Sequence, residues 1–415
     1  MLGTQGKGRR LSDEDRWPEP MSEMVKEIPD EFFPSVEEFM RKYPKTSPPY
    51  LRPEDDPANQ PPKKPMFLNF KSCTTIREVA KLATDDLDDL AAKNLAAVWA
   101  RVVQLLPEDR QSIPEDEAQD EGLYDQLDKL MWHTILLSDD LTAKELSSTV
   151  FSIAKIVQNA KRLGWQCHDD LHPHPAHEVV LGDFPYHTPE IVWPFTELVN
   201  YRLSEFDARH LSNAAYAHAL LGLNEEVGAP NEMDPNYKIT GIYLFPNIAG
   251  EALQKVNDFN ARDVSQLVWA FATMKVDDSK LFQSVGDVVA GKDILSSFKF
   301  RDLSETVWAF ATAKQPHHDM FKKIGDAIIS YKHLRGFKPE ELSNIAWAFA
   351  TAQVSHPALF QKIGDTIAGY NTLDSFEPEH LTIIGSAFKT AKVSHPSMFQ
   401  RIGNARESDN TIIYL

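Results

Sequence analysis

The blocks WAFATMK from Trp269, WAFATAK from Trp308 and WAFATAQ from Trp347 stand 39 residues apart, and one more step of that length lands on Ser386 in SAFKTAK. A fixed period of this size is hard to reconcile with a fold built around one irregular core. Each period must be one supersecondary unit that cannot cover its own apolar surface, so that copies stack and share a continuous core. Each unit contains two apolar patterns of helical period. Leu303, Val307, Phe310 and Ala311 fall at i, i+4, i+7 and i+8, with Trp308 and Thr312 widening the face, and Met320, Phe321, Ile324, Gly325, Ile328 and Ile329 form a second stripe. The two patterns predict an antiparallel helical pair.

Local signals mark where these helices begin. SHPALF and SHPSMF place Ser before Pro, so a seryl oxygen is expected to cap free amides and the proline to occupy a position where no amide is needed. Phe206, Phe259, Phe298, Phe337 and Phe376 each precede a unit's anchor residue by ten positions, where a hydrophobic staple would close the helix entry. Gly286, Gly325, Gly364 and Gly403 recur inside the second helix, where glycine costs about 1 kcal/mol relative to alanine. A close approach by the next helix would explain that cost. Weaker copies upstream put Tyr216, Phe151 and Trp99 at the tryptophan position, so the anchors run 99, 151, 216, 269, 308, 347 and 386. The expected fold is an all-α, right-handed α-solenoid of about seven antiparallel helical pairs, with regular 39-residue repeats in the C-terminal half.

The rest of the chain reads as additions to that array. Residues 1–65 hold 12 of the 27 prolines, a composition expected of an extended acidic tail. Residues 66–260 are divergent repeats with insertions, among them the acidic PEDRQSIPEDEAQDEG from Pro107; residues 261–403 are the regular repeats, and 404–415 a short tail. The net charge of −18 would argue against a polyanionic partner if it were spread evenly. It is not: from Ala261 to Gly403 there are 16 Lys and Arg against 15 Asp and Glu, which leaves 27 against 46 for the remainder. No run approaches the apolar length of a membrane span, and the N-terminus lacks the core of a secretory signal and a clear targeting peptide. Cys73 and Cys167 are too few for a disulfide framework.

The pattern LSxxxWAFA followed by HPxLFxKIGD, together with the upstream LNFKSCTTIREVAKLATDDLDDLAAKNLAAVWARVVQLL, resembles octotricopeptide-repeat proteins, relatives of the RAP-domain and FAST-kinase-like proteins. The resemblance runs from about Met66 to Gly403 and is strongest over the last four units. It implies a superhelix of paired helices that binds single-stranded RNA on its concave face and acts in processing, stability or translation of mitochondrial or chloroplast transcripts or rRNA. Beside RNA, other proteins are expected as partners, and neither a membrane nor a cofactor is expected. The chain leaves the repeat after Gly403 with NARESDNTIIYL, too short for a RAP domain, so no nuclease-like activity is inherited.

A scan for HExxH, GxSxG, CxxC, a Walker loop or a dinucleotide glycine motif finds none, so no catalytic residue is assigned and the protein is not expected to be an enzyme. CHDDLHPHPAH, with Cys167, His168, His172, His174 and His177, matches no structural zinc spacing, and no metal is assigned to it. The RNA-binding candidates are polar positions repeated at one register. Lys144, Arg209, Arg262 and Arg301 stand seven residues before an anchor, a place later taken by Glu340 and Glu379. Lys275, Lys314 and Lys392, with Gln353, stand six residues after one. Cations in such rows can neutralise successive phosphates. Three residues before the anchors come Ser148, Asn213, Gln266, Glu305, Asn344 and Ile383, and among them Gln266, Glu305 and Asn344 offer different hydrogen-bonding edges to a base. A protein-interaction scaffold is the competing class. The tryptophans, flanked by alanine and phenylalanine, are assigned to the core.

Overall fold

The structure, a computed structural model of the whole chain, describes residues 68–85, 87, 90–106, 121–163, 188–222 and 244–408. Among these there are fifteen α-helices and no β-strand. They are α1 (Ile76–Thr84), α2 (Ala92–Leu105), α3 (Glu121–Leu136), α4 (Ala143–Leu163), α5 (Thr188–Tyr201), α6 (Ala208–Leu221), α7 (Leu244–Gln254), α8 (Ala261–Thr273), α9 (Ser279–Gly291), α10 (Phe300–Thr312), α11 (His318–Ser330), α12 (Pro339–Thr351), α13 (Pro357–Ala368), α14 (Pro378–Thr390) and α15 (Pro396–Ser408). The expected tail at 1–65 and the Cys167 to His177 cluster lie outside the described residues, as does most of the acidic stretch from Pro107.

Two layers alternate along the chain. The even-numbered helices α2 to α14 carry the anchor positions, and each packs along its neighbour in the same layer. The odd-numbered companions touch one another more sparsely. Successive pairs therefore stack in sequence order, which is the architecture of a helical solenoid.

Small polar side chains hold the anchor layer together. Three of the serines four residues before an anchor reach the first turn of the next anchor helix: Ser147 Oγ donates to the His210 carbonyl at 3.3 Å, Ser212 to that of Asp263 at 2.9 Å and Ser304 to that of Glu341 at 3.2 Å, whereas Ser343 donates to the Glu340 carbonyl of its own helix at 2.8 Å. Ser265 Oγ uses the Asp302 carboxylate instead, at 3.4 Å. Behind this line lies an unbroken core: Phe271, Phe310, Phe349 and Phe388 are buried, and the last three meet Phe282, Phe321 and Phe360 of the companion layer edge to face with centroids 5.0 to 5.1 Å apart. The entry phenylalanines Phe206, Phe259, Phe298, Phe337 and Phe376 are buried immediately before the helix caps, and Leu211, Val264, Leu303, Leu342 and Leu381 are buried one turn into the helix. These are the two positions of a hydrophobic staple.

The companion helices are joined by a different device. Their caps are histidines rather than the expected serines: Nδ1 of His317, His356 and His395 accepts the backbone N–H of Met320, Leu359 and Met398, each at 3.2 Å. With Nδ1 accepting, Nε2 carries the proton and donates to Asp287, Asp326 and Asp365 of the preceding companion helix at 3.0, 3.3 and 3.1 Å. An imidazole reaches both partners at once, which a serine hydroxyl cannot. The recurring glycines make room for it, because a Cβ on Gly286, Gly325 or Gly364 would fall inside the ring of His317, His356 or His395. The approaching group is thus a ring of the next unit's cap. Gly403, the last of the set, has nothing within 4 Å of a built Cβ.

This sets the sign of a substitution. Gly→Ala inside an ordinary helix gains about 1 kcal/mol, whereas Gly325→Ala should lose about 1–3 kcal/mol by overpacking against His356. Adding His356→Ala should make the pair less costly than the two single changes summed. Thermal unfolding of the four proteins checks this, and a Gly325→Ala variant that melts higher than the parent would contradict it.

Candidate nucleic-acid interface

On a helix, residues spaced by four, seven and eleven share one line. In α4 that line is Lys144, Ser148, Phe151 and Lys155; in α8 it is Arg262, Gln266, Trp269 and Thr273; in α10 it is Arg301, Glu305, Trp308 and Thr312. While most other positions of these helices are buried, this line rises from half-buried aromatics to exposed cations at the helix start. It is the open face of the anchor layer. Trp269, Trp308 and Trp347 lie half-buried on it, so their assignment to the core is corrected. The core position of the WAFA block is the phenylalanine two residues on. Alanines on either side of that phenylalanine let neighbouring helices close in beneath the indole, which leaves its outer part uncovered. Trp99 alone of these anchors is a fully buried tryptophan, and its indole N–H donates to Thr134 at 2.9 Å.

The aromatics form a ladder from helix to helix. Phe151 stacks on Tyr216 with centroids 5.9 Å apart, and Tyr216 meets Trp269 at 4.8 Å. Charges frame this ladder. Arg301 donates from Nε to Glu305 at 2.6 Å and from Nη2 to the Tyr216 hydroxyl at 3.0 Å. Tyr216 is on α6 and Arg301 on α10, so the guanidinium reaches past the whole width of α8. Such a contact between alternate helices requires their open faces to tilt toward each other. The face is therefore concave here, as expected where anchor helices pack closer than their companions. The Lys155 ammonium lies 5.2 Å from the Tyr216 ring centroid, a cation–π placement.

The structure brings together Arg262, Arg301 and Glu305 of the sequence candidates, joins to them the anchor rings of Phe151 and Tyr216, and adds Lys155, which the fixed-register search passes over. Lys155 is one turn beyond the anchor on the same line, a spacing that could have found it. The four early cations also follow one another: His210 senses both Arg209 and Lys144, Asp263 senses both Arg209 and Arg262, and Tyr216 senses both Arg262 and Arg301. Gln266 is buried on this face, and its Oε1 accepts no hydrogen bond from the described residues. Asn344 is half-buried on α12. Burial raises the Glu305 carboxyl above the ordinary range, against the pull of Arg301.

Lys275, Lys314 and Lys392 do not join this row. They lie thirteen residues beyond the first-turn register in their units, about 20 Å along a helix axis. Each is the residue after the helix cap, held with Gln353 at φ 56 to 57°, in the left-handed region. The following amide closes the turn, as Val276 does on the Phe271 carbonyl at 2.9 Å. Glycine fits that place best, and a side chain there costs about 1 kcal/mol, offset in part by a cation facing the helix C-terminus. The two cation sets therefore form separate rows along opposite ends of the anchor helices. Other cations are taken up in tying units together: Arg202 to the Leu141 carbonyl at 2.6 Å, Lys255 to that of Phe206 at 2.7 Å and Lys292 to that of Asn257 at 2.7 Å.

Among the described residues no cluster of metal-ligating side chains occurs, and no helix is long and apolar enough to cross a membrane. The fold and the face together define a helical-repeat solenoid with an aromatic ladder and a cationic first-turn row on one surface. Residues 236–357 match the family described as RESC6, RNA-editing substrate-binding complex 6 protein. The matched stretch spans α7 to α12 and includes the face from Arg262 to Trp347. No curated protein matches the chain.

Burial, together with Arg301 and Arg262 and against Glu305, pulls the Lys155 ammonium down to about 8. An unfolded chain holds that proton up to the ordinary lysine value, so the penalty is complete below about 8 and fades as pH rises toward it. Relative to Lys155→Met, the parent should gain stability across that window, read as the difference in chemical unfolding midpoints. A constant difference across the window would show that Lys155 is not held as described.

Proposed function

We propose that this protein binds single-stranded RNA on the open face of its anchor helices and acts, without catalysis of its own, in RNA editing or processing. The observation that carries the reading is the aromatic ladder Phe151, Tyr216 and Trp269 set beside an ordered row of cations on a concave surface. Unpaired bases stack on the half-buried rings of Phe151 and Trp269, which the buried Tyr216 joins, and guanidinium groups take the phosphates between them. The likeness to the RNA-editing substrate-binding complex 6 family over residues 236–357, which include Arg262, Trp269 and Arg301, supports the RNA reading and favours a mitochondrial setting over a chloroplast one. Gln266 and Glu305, at one register beside the rings, are the groups we assign to base contacts; Asn344 holds the same register on α12, beyond the path assigned below. The kinship with octotricopeptide-repeat proteins is part of this proposal.

The charge register limits the path. Lys144, Arg209, Arg262 and Arg301 give way to Glu340 and Glu379 on α12 and α14, so we assign RNA to α4 through α10. The acidic later units favour a protein partner there.

Arg209 and Arg262 are exposed and lie next to each other in the row. For a single strand, log affinity falls with log salt by about 0.7 per phosphate contact. Replacing both arginines with alanine should flatten that slope by about 1.4, with little change in melting, because exposed charges contribute little to stability. A salt titration with labelled mixed-sequence single-stranded RNA tests this. Unchanged slope and affinity would move the function to protein binding.

A further inference from the structure

Lys155 lies on α4, Tyr216 on α6, Arg262 on α8 and Arg301 on α10, four successive anchor helices of the stack. Arg301 reaches the tyrosine hydroxyl and Lys155 lies at its ring, so two cations meet around one side chain from opposite directions. Arg262 acts electrostatically on both Lys155 and Tyr216. The carboxylate that acts on both Lys155 and Tyr216 is Glu305, already hydrogen-bonded to Arg301, while Asp263 acts on Arg262.

Geometry leaves donors free at this point. The Arg301 side chain is 58% exposed while its partner Glu305 is only 16% exposed, so the carboxylate lies beneath and the guanidinium outward. The Lys155 ammonium has three N–H donors, and one is given to Gln158 Oε1 at 3.0 Å. Arg301 and Arg262 repel the Lys155 ammonium in the free protein, and an anion between them would relieve that repulsion. The concavity makes the arrangement possible, because a flat layer would hold α4 and α10 too far apart for their side chains to meet around one tyrosine.

We propose that Lys155, Arg262 and Arg301 together form a phosphate site of the RNA path, in which one backbone phosphate is gripped across the concave face over the Tyr216 hydroxyl. This rests on the RNA-binding reading above and goes beyond it, because it makes Lys155 an RNA-contacting residue and fixes where along the groove the strand is held most firmly. The two oxygens of a phosphodiester that are not esterified can accept from Lys155 on one side and from the arginines on the other.

The test uses the full chain and labelled mixed-sequence single-stranded RNA, titrated across salt concentrations. Lys155→Met and Lys155→Gln keep most of the aliphatic stem that packs on the ring, and Lys155→Arg keeps the charge. Lys280→Ala, an exposed change on the companion helix α9, serves as control. The neutral variants should bind about tenfold more weakly and lose about 0.7 from the salt slope, while Lys155→Arg and Lys280→Ala retain the parent slope. Parent-like affinity and slope in both neutral variants would overturn the site and leave the RNA reading standing. If the parent chain itself binds no RNA, the reading and the site fall together. Should one neutral variant melt early, the other carries the comparison.

Discussion

The close packing of successive anchor helices is the constraint on which the rest depends. It is made possible by a serine that spends its hydroxyl on the first turn of the next anchor helix, and by alanines on either side of the buried phenylalanine. Small residues at a helix interface let the backbones approach, and the seryl bond satisfies polar groups that the approach would otherwise strand. Companion helices touch more sparsely, and from α9 to α15 each of their contacts must hold an imidazole against a glycine. One layer is tight and the other wide, and a stack built of such wedges curves toward its tight side.

Curvature then decides what the exposed line of each anchor helix can do. Where the faces tilt together, side chains from alternate helices touch, as Arg301 and Tyr216 do across α8. Rings that would be separate on a flat layer become a ladder, and cations that would be independent become one field. The cost is visible in the proton affinity of Lys155, lowered by burial and by its neighbours. Perturbed titratable groups gathered on a concave surface are a common mark of a functional site. Here the perturbation arises from convergence of like charges, which an anionic strand would offset.

Much of this was legible in the sequence because a repeat exposes its own rules. The two helical periods, the staple phenylalanines and the register of the arginines all follow from spacing alone. Four features escaped. The tryptophans were assigned to the core because their neighbours are apolar, yet Phe271, Phe310 and Phe349 hold the interior and the indoles sit over them. The histidine cap was hidden behind the more familiar Ser-Pro start, since its role depends on a glycine and an aspartate about thirty residues earlier. Lys155 was missed because what recruits it is curvature, which no single unit encodes. The lysines after the helix ends shared a register with nothing on the face, and their left-handed backbone could not be foreseen from residues that seldom adopt it.

The most direct measurement of the central claim is ultraviolet crosslinking of the full chain to uridine-rich single-stranded RNA, followed by mass spectrometry of the crosslinked peptides. Aromatic side chains stacked on bases are the groups placed to react. The account expects crosslinks in the peptides carrying the half-buried rings Phe151, Trp269 and Trp308, on helices α4, α8 and α10, and none in the companion helices α9, α11 and α13. Crosslinks confined to the companion layer, or a chain that crosslinks no RNA above background, would contradict it.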